Sequence, residues 1–175
     1  IGAKLAAIHL LNHQPRKALA SLEDSVYGEN SLLLKQQRNR LTAQAMLALG
    51  QPDKTMAILS QDNTPEANRI RLDVYWRARD WPKVMSNVEA ALKERPDPSA
   101  PMTMDEAESL LKLALAYVFQ NDVKQVQYLR DYFGPLMEHN PHKAIFDFIT
   151  ATDMTLTTRN FDDVVQYLSS TRAFI

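Results

Sequence analysis

Apolar residues recur along this chain at spacings of three and four. Leu5, Ile8 and Leu11 form one such stripe, and Leu41, Ala45 and Leu49 a second. Ile70, Val74 and Ala78 form a third, and Leu110, Ala114, Tyr117 and Val118 a fourth. A 3.6-residue helix brings such positions to one side, so each stripe predicts an amphipathic helix. A shorter amphipathic run follows each, as with Val84, Val88, Ala91 and Leu92. No stretch alternates with a period of two, so strands are not expected.

Polar junctions separate the paired runs. They read His13-Gln14-Pro15-Arg16-Lys17-Ala18, Gly50-Gln51-Pro52-Asp53-Lys54-Thr55, Arg79-Asp80-Trp81-Pro82-Lys83-Val84, Asn121-Asp122-Val123-Lys124-Gln125-Val126 and Arg159-Asn160-Phe161-Asp162-Asp163-Val164. Each closes on a small or β-branched residue, and Leu22, Leu59, Leu129 and Leu168 follow four of them. The spacing is irregular, about 36 residues on average, as in an array of helix pairs. Helix starts are marked by Thr64-Pro65-Glu66, by Thr103 with Glu106 three positions on, and by Pro15, Pro52 and Pro82 in first turns. Gly134-Pro135 predicts a stop near Phe133. The proline-rich stretch 95–102 is expected to be a flexible loop.

Composition sharpens this picture. With 4 Gly and 9 Pro in 175 residues, the chain is poor in the turn formers of a sheet protein. Its 45% hydrophobic and 23% charged residues suit a folded core rather than disorder. A net charge of −1 provides no long-range pull toward nucleic acid or anionic lipid. The absence of cysteine removes disulfides, thiolate nucleophiles and cysteine-based zinc sites. The apolar stretch from Leu113 to Phe119 is far shorter than the ~20 residues of a membrane span. The chain begins at Ile1, so it is expected to be a piece of a longer one, and its compartment, cytoplasm or periplasm, stays open.

The junction pattern resembles the tetratricopeptide repeat, an antiparallel helix pair of about 34 residues. In Arg79-Asp80-Trp81-Pro82-Lys83-Val84, Trp81 stands at the turn aromatic and Val84 at the small position; Tyr75 and Tyr117 each precede a turn by four residues. Phe161 repeats the turn aromatic and Gly50 supplies a turn glycine. Alanine fills the small position only as Ala18, and Pro96 is a loose counterpart of the closing proline. The stretch from Pro52 to Trp81 also looks like large bacterial proteins built from such units. The resemblance implies an all-α, right-handed superhelical solenoid of about five antiparallel helix pairs, with residues 1–175 as a single domain. It further implies a non-catalytic scaffold that binds a protein or peptide segment in a concave groove. The groove positions it implies are Arg40, Gln44, Arg69, Asp73, Trp76, Arg77 and Phe119, beside Gln37, Leu111, Leu115 and Val118. Such a surface would suit acidic side chains, with Trp76 and Phe119 as anchors. The Lys and Asn positions of a carboxylate clamp are absent.

Other chemistry is sparse. Leu110 to Phe119 is apolar almost all round, which fits either a central core helix or a covered interface. His9 and His13 are four apart, but without an accompanying Glu or Cys they read as surface residues rather than a metal pair. His139 and His142 flank Asn140-Pro141 and read as loop residues. Glu23-Asp24 and Asp162-Asp163 are adjacent and point to different sides of a helix. No G-x-S-x-G occurs, and four glycines build no phosphate-binding loop. No catalytic residue, cofactor or metal is therefore expected. Lys35, Arg38, Arg40, Arg69, Arg71, Arg77 and Arg79, with Tyr75 and Trp76, offer a basic patch for RNA, but Asp62, Asp73 and Asp80 interrupt it. Two other classes stay open: an accessory domain of a larger enzyme or envelope assembly acting in cis, and self-association, as a homodimer, through the apolar helix or the Phe174-Ile175 end.

Overall fold

The structure is a computed structural model that describes residues 2–25 and 31–151. The fifth junction, Leu168 and Phe174-Ile175 lie outside the described residues. All regular structure within them is helical: α1 (Gly2–Leu11), α2 (Pro15–Glu23), α3 (Leu32–Ala48), α4 (Pro52–Leu59), α5 (Pro65–Arg77), α6 (Trp81–Lys93), α7 (Met104–Phe119), α8 (Val123–Phe133) and α9 (Lys143–Thr150), with a 3-10 turn at Pro135–Met137. They divide into two compact units, with the boundary along the chain inside α5, between Val74 and Tyr75.

Four of the junctions fold into one backbone turn. His13, Gly50, Arg79 and Asn121, the first residue of each junction, have φ of 54°, 73°, 55° and 54°. Each donates its amide to the carbonyl three residues back, on Leu10, Leu47, Trp76 and Val118, at 3.0 Å. The next residue donates to the carbonyl five back, on His9, Met46, Tyr75 and Tyr117, at 2.8 to 3.0 Å. A left-handed residue bracketed by these two bonds satisfies the last carbonyls of one helix and reverses the chain. Proline at the next position opens α2 and α4, and Asp80 and Asp122 cap α6 and α8 through the amides of Lys83 and Gln125.

In the first unit, α1 packs on α2 and α3, α2 on α3, and α3 on α4. One cluster joins Ala6, Ala18, Leu22 and Ala45; another joins Ala43, Leu47, Leu59, Ala67, Ile70 and Val74. The expected face of α1 is not the buried one. Leu5, Ile8 and Leu11 are about half exposed, while Ala3, Ala6 and Leu10 turn inward. Because α1 is apolar on nearly every side, periodicity does not choose its face; small alanines do, by letting helix backbones approach closely.

In the second unit, α7 packs on α6, α8 and α9, and α8 on α9. From Ala107 to Tyr117 every residue but Ser109 is buried, which makes α7 the core helix of this unit. Its start is the predicted one: Thr103 accepts from the Glu106 amide and Glu106 accepts from the Thr103 amide. The loop between α6 and α7 is tied to the buried Arg95. Its guanidinium pairs with Glu106 at 2.9 Å and donates to the Pro98 and Ala100 carbonyls at 3.2 and 2.8 Å.

Candidate functional site

The residues expected to contact a partner divide between the two units. Arg40, Gln44, Arg69 and Asp73 belong to the first; Trp76, Arg77 and Phe119 to the second. Gln44 and Arg77 are exposed, and Arg69 and Asp73 are half-buried. Arg40 is engaged within the fold: its guanidinium donates to Asp62 at 2.9 Å and to the Thr64 hydroxyl at 3.3 Å. Trp76 and Phe119 are brought together by a residue not expected at the site. Trp81 meets Trp76 edge-on at 5.4 Å between centroids and stacks on Phe119 at 4.8 Å.

Two arginines of the basic patch also serve the fold. Arg38 donates to the Leu22 carbonyl and the Ser25 hydroxyl, and Arg71 donates to the carbonyls of Leu59 and Asp62. Leu22 and Leu59 hold the same place after their turns, so a guanidinium from the following helix meets the end of the preceding one in both cases, where the dipole favours a cation. His9 Nδ1 lies 3.2 Å from Gln14 Oε1, and His13 occupies a left-handed turn. Among the described residues no helix is long and apolar enough to cross a membrane, and no three His, Cys, Asp or Glu side chains group as metal ligands.

A groove of about 430 Å³ lies in the second unit between α6, α7 and α8. Leu113 and Tyr117 of α7 form its floor, and Glu89, Leu92 and Lys93 of α6 one wall. The facing wall is α8, where Gln125, Tyr128, Leu129 and Tyr132 fall at the i, i+3, i+4 and i+7 positions of one stripe. Pro98 of the Arg95-anchored loop lines it too. Tyr128 and Tyr132 stack with centroids 5.7 Å apart and stay 52% and 46% exposed, while Phe133 packs edge-on against Tyr132 at 4.8 Å.

One polar pair lies inside the groove. The buried Tyr117 hydroxyl donates to the Glu89 carboxylate. Burial, and then the Glu89 carboxylate, push the Tyr117 phenol well above its ordinary value of 10. Glu89 and Lys93 are four apart on α6, the spacing at which Glu and Lys usually pair. Here the carboxylate turns to Tyr117, and Lys93 has no ion pair among the described residues. The groove's walls are second helices, whereas the repeat resemblance points to the first helix of each pair. The signal was the Tyr128/Tyr132 pair at i, i+4 on α8.

No protein-family model matches the chain, and neither does any curated protein or solved structure.

Proposed function

We propose that the chain is a non-catalytic scaffold of tetratricopeptide-like helix pairs, stacked as a solenoid, that holds a segment of a partner protein. The observation that carries this reading is the recurrence of one left-handed turn at His13, Gly50, Arg79 and Asn121, with the same pair of hydrogen bonds each time. Repeated helix hairpins of this kind build binding surfaces by stacking. The reading draws further support from the α6–α7–α8 groove, whose stacked, half-exposed tyrosines resemble the aromatic anchors of protein interfaces. We place the docking site there rather than on Arg40, whose guanidinium is committed to Asp62.

A photo-crosslinking amino acid at position 132, or at the exposed Gln44 as a comparison, tests this in a lysate of the source organism. The expected result is a discrete protein adduct from position 132 that the Tyr128→Ala change suppresses. Adducts from neither position would overturn the scaffold reading. A second reading, self-association, is favoured by the half-exposed Leu5, Ile8 and Leu11 of α1. Sedimentation of the chain beside an Ile8→Lys variant tests it: a dimer lost in the variant supports it, and a monomer in both excludes it.

A further inference from the structure

The groove's chemistry narrows the kind of segment it receives, given that the groove is the docking site proposed above. We infer that it takes an extended, proline-bearing segment whose carboxylate pairs with Lys93. The charge argument comes first. Lys93 stands at the groove with no ion pair among the described residues, and its i−4 neighbour Glu89 accepts from the Tyr117 hydroxyl. A ligand carboxylate beside Lys93 supplies an ion-pair partner.

The aromatic argument is independent. Tyr128 and Tyr132 lie nearly parallel, at 17° between planes, and form a half-exposed platform. Aromatic platforms receive proline-rich segments because the polyproline helix is already ordered and its carbonyls carry no internal hydrogen bonds. Gln125 and the two phenols provide donors along one edge for those carbonyls. From Gln125 to Tyr132 the helix rises about 10 Å, close to the ~9 Å of one polyproline turn. Pro98, its carbonyl held by Arg95 at 3.2 Å, adds a fixed apolar ring to the lining against which a proline of the segment can pack. An amphipathic helix fits less well, since it would need a continuous apolar trough where this lining carries an amide, two exposed hydroxyls, an ammonium and the Tyr117-bound Glu89 carboxylate.

The test uses the whole chain and fluorescence anisotropy. The probe is a labelled oligoproline peptide with one central aspartate; a version with lysine there and a helical alanine-rich peptide serve as comparisons. Saturable binding of the aspartate peptide is expected, weakened about tenfold or more by Tyr132→Ala and by Lys93→Glu. Lys93→Glu should regain binding to the lysine peptide, an outcome that loss of structure does not produce. Absence of saturable binding, or no rescue by the charge exchange, would overturn the inference. Equal or tighter binding of the helical peptide, lost in Tyr132→Ala, would overturn it while leaving the groove as a docking site. A dimer of the unliganded chain dissolved by Tyr132→Ala would overturn it in favour of a second copy as occupant.

Discussion

Arg40 of α3 and Asp62 of the loop before α5 meet at 2.9 Å, with side chains only 15% and 7% exposed. Asp62 also accepts from the Thr64 hydroxyl and amide at 2.6 and 3.0 Å. Burial by itself would raise the Asp62 pKa. The hydrogen bonds from Thr64 and the pairing with Arg40 outweigh it and hold the carboxyl below its ordinary value of 3.8. An arginine that reads as a ligand contact in sequence is thus part of the structure that positions α5.

That lowered pKa fixes the sign of a pH effect. The Asp62 contribution is full above about pH 4 and is lost as the carboxyl protonates on further acidification. Replacing Asp62 by Asn should cost about 1–3 kcal/mol at pH 7. The difference from the parent chain should shrink below pH 4, as read by urea unfolding across a pH series.

The left-handed turns predict substitutions of opposite sign. Gly50, at φ 73°, has open space where a Cβ would sit, so Gly50→Ala is opposed by backbone conformation alone, at about 1 kcal/mol. Arg79→Gly and Asn121→Gly relieve the same strain at φ 55° and 54° and should stabilise by up to about 1 kcal/mol. Thermal melts of the three single variants check this.

Burial separates two leucines on helices that are both apolar on nearly every side. Leu113 is 1% exposed in the middle of α7, and Leu113→Ala should cost about 2–5 kcal/mol. Leu11, 53% exposed, should tolerate alanine within about 0.5 kcal/mol. Denaturant midpoints measured in one buffer test the contrast.

Tyr117→Phe removes the hydroxyl that holds Glu89. The loss should be about 1–2 kcal/mol, because the half-buried carboxylate regains some water. Since the folded-state phenol pKa is raised, the stabilising effect is full below pH 10 and is lost as pH rises beyond it. Ultraviolet titration should show a late-ionising tyrosine in the parent that is missing from the variant.

Much of the local architecture was legible in the chain. The four described turns start at the residues where the polar junctions start, because a left-handed cap depends on a handful of neighbouring residues. The same holds for the Thr103–Glu106 capping box, for proline in the first turns of α2, α4 and α6, and for the stop after Phe133. Each signal acts over a few residues, so the sequence by itself determined that the described chain is helical and where it reverses.

Tertiary structure decided which sides of those helices meet. It buried Ala6 in place of Ile8, took Arg40 into a pair with Asp62, and joined Trp76 to Phe119 through Trp81. It also set Tyr117 against Glu89, 28 residues away, inside the groove that Tyr128 and Tyr132 line. Periodicity offers several nearly equivalent faces on a helix as apolar as α1 or α7. Only the fit of side-chain volume, and the pairing of buried polar groups brought together from distant parts of the chain, selects one of them.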